Sequence, residues 1–161
     1  MSATNSLHYQ LCCEGAKYII QPRAKDGWNS PYLWSSVELV CNGCELTDVW
    51  AANRDISCVI EVKTSHSDFL NDRKKFARTK QAEMSGLTMG NFRYYLCPEG
   101  VIKEEELPEG WGLLYWNGKK IYRVKTSSEF QTNRRMDFLA LASILDREVG
   151  HHKVFNYRET I

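Results

Sequence analysis

The sequence is poor in punctuation. It has four prolines and ten glycines in 161 residues, and no Gly/Ser/Pro-rich stretch, repeat or low-complexity segment divides it. A single domain spanning residues 1–161 is therefore expected. No apolar run approaches the eighteen or so residues of a membrane span. The opening MSATNSLHYQLCCEG lacks a basic segment followed by an apolar one, so no secretory signal is expected and the chain reads as cytoplasmic. The formal net charge of +1 leaves no global field to attract a polyanion. Any nucleic-acid binding must come from a local patch, and one is visible: five of the eight residues from Arg73 to Lys80 are basic and none is acidic.

Six cysteines without a secretory signal argue for free thiols rather than a disulfide framework. Cys41 and Cys44 have the spacing of half a zinc site, but no second close pair completes it. Asn42-Gly43 has a simpler use as a two-residue hairpin turn.

Periodicity and turn signals predict a helix over residues 6–16, a short strand over 18–20 and a long loop over 22–34. Strands follow over 37–41, 44–51 and 58–63, then a helix over 67–84 capped by Ser67. A strand over 92–97 precedes a second Asn-Gly hairpin, with arms 112–116 and 119–125 around Asn117-Gly118. A helix over 133–149 closes the chain, offering Met136, Leu139, Ala140, Ile144 and Leu145 to the core. The order belongs to an α+β (mixed α/β) fold rather than a doubly wound parallel one.

The strand over 58–63 carries the chemistry. Side chains alternate along it, so Cys58, Ile60 and Val62 point one way and Val59, Glu61 and Lys63 the other. An interior strand rarely carries a carboxylate and an ammonium unless they have partners or a metal. Asp48, on the preceding hairpin arm, comes into the same neighbourhood. Two carboxylates can hold Mg²⁺, which takes hard oxygen ligands. Such an ion acidifies water and neutralises charge during phosphodiester hydrolysis, while a lysine positions the nucleophile or stabilises the transition state. Two bare carboxylates about 4 Å apart repel by roughly 4 kcal/mol at an effective dielectric of 20, so the pair itself calls for a cation. An E-x-K tripeptide has about even odds of arising by chance in a chain this long, and the alternative is a cross-strand ion pair on a surface strand.

Asp48…Glu61-Val62-Lys63 resembles the PD-(D/E)xK nuclease superfamily, with Thr47 standing where proline is common. Three stretches are similar, more specifically, to the MmcB-like DNA repair proteins: Thr47-Asp48-Val49-Trp50-Ala51, Glu61-Val62-Lys63-Thr64-Ser65, and Ser67-Asp68-Phe69-Leu70-Asn71-Asp72-Arg73-Lys74. Phe92-Arg93-Tyr94-Tyr95-Leu96-Cys97-Pro98 and Leu107-Pro108-Glu109-Gly110-Trp111-Gly112-Leu113 extend the likeness, whereas the stretch from Gly86 to Asn91 looks longer than in that family. The resemblance implies a restriction-endonuclease-like α-β-β-β-α-β core, with a central mixed sheet flanked by helices. It also implies a divalent metal and action on DNA in repair, recombination or mobile-element processing.

On this reading Asp48 and Glu61 bind Mg²⁺ or Mn²⁺, the Val62 carbonyl is a further ligand, and Lys63 assists the attacking water. Many relatives carry another acid on the first helix. Glu14 holds that position here, with Glu38 as its rival on a neighbouring strand. On a helical wheel over 67–84, Phe69, Leu70, Phe76, Ala77 and Met84 form an apolar face with Arg73 and Lys80 in its middle. Either cation reaches the acidic site or a phosphate, or it snorkels to solvent. Lys74, Lys75 and Arg78 fall on the solvated side, where they can touch the DNA backbone. In the loop over 22–34, Arg23, Lys25, Trp28, Tyr32 and Trp34 suit base stacking, or else cover the core edge. DNA is the expected partner, with a homodimer if both strands are cut. The competing class is a non-catalytic DNA-binding or assembly module that keeps the fold.

Overall fold

The computed structural model describes residues 6–21, 32–39, 46–75, 78 and 88–148. The chain is α+β: a mixed six-stranded sheet with helices on both faces. Helix α1 spans Leu7–Ile20, strand β1 Trp34–Leu39, β2 Thr47–Ala52 and β3 Ser57–Val62. Helix α2 spans His66–Asp72, β4 Phe92–Pro98, β5 Gly112–Trp116, β6 Ile121–Lys125 and helix α3 Arg134–Glu148. The strands lie side by side in chain order. β1–β2, β2–β3 and β5–β6 pair antiparallel, whereas β3–β4 and β4–β5 pair parallel.

Ser6 caps α1, its hydroxyl accepting from the Tyr9 N–H at 3.2 Å. The strand expected over 18–20 is instead the last turn of this helix. Tyr18 and Ile19 are buried because they continue the apolar stripe of Leu11, Gly15 and Ala16, a helical spacing that a three-residue apolar run does not reveal by itself. Gly15 lets the helix lie close on the sheet, since a Cβ there would sit 3.0 Å from Leu96 Cδ2.

All six residues of β3 are buried, and they divide between two faces as their alternation predicts. Cys58, Ile60 and Val62 join Val49, Tyr94, Leu96 and Leu114 in the core beneath α1. On the opposite face Val59 packs with Trp50, Met89 and Ala140 beneath α3. A third cluster, of Phe69, Tyr95, Trp111, Leu113 and Phe130, lies beside it under α2.

Helix α3 presents Met136, Ala140, Leu141 and Ile144 to the sheet, while the expected core residue Leu145 is 52% exposed and Leu139 is half-buried outside the cluster. Leu141, one turn after Asp137, takes the place assigned to Leu145. The rotation is fixed by Trp50, whose indole N–H donates to Asp137 at 3.2 Å. The second hairpin turns through four residues rather than two, with Trp116 facing Ile121. Asn117 holds the turn by accepting from the N–H groups of Lys119 and Lys120, and Gly118 adopts φ +90°. Asn42-Gly43, Cys41 and Cys44 lie outside the described residues, although β1 and β2 pair as the arms of a hairpin. No helix among the described residues is long and apolar enough to cross a membrane.

Candidate functional site

β2 and β3 pair from Ala52–Ser57 to Val49–Ile60 and then part, although both strands run on. Into this fork Asp48 inserts its carboxylate. Oδ2 accepts the Val62 N–H at 2.8 Å, replacing the backbone partner that β2 no longer supplies. Asp48, Glu61 and Lys63 therefore do meet. Lys63 Nζ lies 3.3 Å from Glu61 Oε2 and 3.8 Å from Asp48 Oδ2, with the Lys63 and Glu61 side chains almost wholly buried.

The fork also holds groups that sequence reasoning left elsewhere. Asp72, at the end of α2 and 1% exposed, lies 3.5 Å from Lys63, 2.7 Å from Lys75 and 2.8 Å from Arg78. The Tyr95 hydroxyl donates to the same carboxylate at 2.8 Å. Arg78 forks between Asp72 and Glu61, reaching Glu61 Oε2 at 3.1 Å, and its guanidinium stands 5.0 Å from the centre of the Trp111 ring. Three carboxylates (48, 61 and 72) thus meet three cations (63, 75 and 78). The repulsion expected to demand an external cation is met by the chain's own side chains.

Two assignments on the basic segment change accordingly. Arg78, placed on the solvated side by the helical wheel, has a side chain only 2% exposed and is the cation that enters the site. Arg73, placed on the apolar face, is exposed, its guanidinium 5.7 Å from the centre of the Phe69 ring. Helix α2 ends at Asp72, so a 100° period does not place Arg78, while Arg73, still αR at the C-cap, is exposed because the face that α2 buries holds Phe69 and Asp72. Leu70, also assigned to the apolar face, is 39% exposed. Lys74 is exposed, and Lys75 is exposed but tied to Asp72. Lys80, Phe76, Ala77 and Met84 lie outside the described residues. Of the aromatic loop, Tyr32 is core and Trp34 is half exposed at the start of β1, while Arg23, Lys25 and Trp28 lie outside the described residues.

Of the two candidates for a further acid, Glu14 does not join the cluster. It pairs with Lys17 at 3.0 Å, roughly 120–160° around α1 from His8 and Cys12, which face Asp48. Glu38 stands nearer, 3.9 Å from His8 Nδ1 and on a backbone with φ 47°. His8 was not legible as a site residue, yet its Nε2 lies 3.4 Å from Asp48 Oδ1. Cys12, one turn along α1, lies 3.6 Å from His8 Nδ1. His8, Cys12 and Asp48 could together hold a metal ion, with donor atoms all within 4.8 Å of one another. The readable signal was His8-x-x-x-Cys12, a spacing that puts both side chains on one helix face.

Burial pushes the Glu61 carboxyl up to about 8, and Asp48 adds to the rise while Lys63 opposes it. Glu61 Oε1 is buried without a hydrogen-bond partner. Burial works against the Lys63 ammonium, but Glu61, Asp72 and Asp48 outweigh it and hold its pKa above the ordinary value. Lys63 is therefore a cation at neutral pH: it donates hydrogen bonds and does not accept protons. Burial, reinforced by Asp48 and Glu38, raises the Cys12 thiol well above its ordinary value.

No family model matches the chain, and no curated protein matches it. Among solved structures it is similar to the SPO1766 protein of unknown function from Silicibacter pomeroyi, at 22% identity and a TM-score of 0.49, over 76% of this chain and 85% of that one.

Proposed function

We propose that the β2–β3 fork is the active site of a metal-dependent nuclease that hydrolyses DNA phosphodiester bonds, in repair, recombination or mobile-element processing. The observation that carries this reading is the meeting of Asp48, Glu61 and Lys63 where two paired strands separate. A strand pair gives up ladder hydrogen bonds there, and a dry carboxylate oxygen is left without a donor. Such an atom suits a proton or a cation.

The donor set fits a hard divalent ion, Mg²⁺ or Mn²⁺. Glu61 Oε1 and the Asp48 carboxylate would hold it, with the Val62 carbonyl as the additional ligand. When bound, such an ion supplies charge neutralisation at the scissile phosphate and lowers the pKa of the attacking water. Lys63, charged and 3.3 Å from Glu61, would donate to that water or to a non-bridging phosphate oxygen. Arg78 holds Glu61 in place from within the fork.

The internal charge balance favours a second reading. A cluster already neutralised by Lys63, Lys75 and Arg78 can serve a DNA-binding or assembly module that cuts nothing. Cleavage of single-stranded, duplex and branched DNA with Mg²⁺, Mn²⁺ or EDTA separates the two. The nuclease reading requires metal-dependent cutting that falls at least a hundredfold in a folded Lys63→Ala variant. Binding without cutting, in wild type and on every substrate, would move the assignment to the module.

A further inference from the structure

Asp48 has two oxygens and they face different neighbours. Oδ2 is committed to the Val62 N–H and to Lys63, inside the fork. Oδ1 points the other way, to His8 Nε2 at 3.4 Å. There it meets donors of another kind, an imidazole and the Cys12 thiol, wholly buried, with the Glu38 carboxylate 3.9 Å from the ring nitrogen on the far side. We propose that His8, Cys12 and Asp48, with Glu38 closing the shell, form a second metal site, for a borderline-soft ion of the Zn²⁺ class.

Three observations support it. The donor set mixes nitrogen, sulfur and carboxylate oxygen, which suits Zn²⁺ and is wrong for Mg²⁺. Tetrahedral zinc, with bonds of about 2.3 Å to sulfur and about 2.0 Å to nitrogen or oxygen, separates its donors by roughly 3.3–3.6 Å. Cys12 Sγ stands 3.6 Å from one ring nitrogen of His8 and Asp48 Oδ1 stands 3.4 Å from the other, and one donor atom from each of the three residues lies within 4.8 Å of the rest. Finally, Glu38 has φ 47°, a left-handed conformation uncommon for a residue other than glycine. That kink falls where β1 passes His8, and it directs the carboxylate toward the ring. The His8 and Glu38 side chains, 34% and 52% exposed, leave a way in from solvent to the buried sulfur.

The site shares Asp48 with the proposed nuclease centre, and its test is kept apart from that reading because it measures absorbance and affinity rather than cleavage. Titration of the full chain with Co²⁺ should give one equivalent bound and a thiolate-to-cobalt charge-transfer band, displaced by Zn²⁺. The band should vanish in Cys12→Ser and persist in a Cys41→Ser/Cys44→Ser double variant. Because Cys12 is buried and its variant can misfold, His8→Gln gives a second reading. Zn²⁺ affinity, measured by competition with a chromophoric chelator, should fall at least about tenfold in that variant. Failure of the wild type to bind either ion would overturn the proposal. So would a band that survives Cys12→Ser, a band lost with Cys41 and Cys44, or an affinity unchanged by His8→Gln.

Discussion

The two faces of β3 are equally buried and differently made. Beneath α1, Cys58, Ile60 and Val62 pack into an apolar cluster, and their burial stabilises the fold without an ion pair. On the other face Val59 is followed by Glu61, as dry as Ile60 but tolerable only because Lys63 and Arg78 reach it. Stability is conserved on the first face by shape alone. On the second it depends on charges arriving from α2 and from the segment after it, so that face is conditional on tertiary structure and on pH.

The sharpest way to break this contrast is at Arg78. Arg78→Ala strips Glu61 and Asp72 of their shared buried cation, and its cost should be about 3–5 kcal/mol, read as a shift in the urea midpoint. Asp72→Asn in the Arg78→Ala background should recover part of that loss, because the two act on one interaction. A cost below about 1 kcal/mol would show that the guanidinium is not holding the cluster.

Glu61 extends the comparison to pH. Its folded pKa is raised, from 4.5 to about 8, so the folded chain binds this proton more tightly than the unfolded one. The corresponding stability is fully present below about pH 4.5 and is lost as pH rises toward 8, at about 1.4 kcal/mol per pH unit from this group. Glu61→Gln should therefore change little near pH 4 and become more stable than wild type near pH 8. Denaturation curves of both proteins across that range check the sign. Ile60→Val, one residue away on the apolar face, should cost about 1 kcal/mol at every pH. A pH-dependent penalty at Ile60 would mean that the two faces are not separable.

What could be read from the sequence follows the same division. The alternation along β3 is local, so the face shared by Glu61 and Lys63 and the apolar partners of Ile60 were legible from six residues. Asp48 was legible because an antiparallel neighbour must lie close by. Arg78 was not, since its position depends on α2 ending at Asp72, and no proline or glycine follows to mark that end. Asp72 carried a weak signal, an acid three residues after Phe69 on the buried side of a helix. His8 lies forty residues before Asp48, and only the docking of α1 on the sheet brings them together. For the same reason the position of Glu14 on α1 could be read and its azimuth, which pairs it with Lys17 instead of the cluster, could not.

The smallest effect expected is in salt. Five phosphate contacts from the segment over 73–80 would make log K for DNA fall with log salt at a slope near −4.5. The structure removes Arg78 from that count, since its side chain is 2% exposed and held by Glu61 and Asp72. Lys75 already has Asp72 at 2.7 Å, and a phosphate would have to displace it. Arg73 and Lys74 are exposed, so these two should contribute a slope of roughly −1.8, with Lys80 adding at most about −0.9. Paired titrations of wild type and a Lys74→Ala variant on one duplex, from low to moderate salt, read the difference directly. A wild-type slope near −4.5 would mean that Arg78 and Lys75 leave their carboxylates on binding DNA, and that the fork opens when the polyanion arrives.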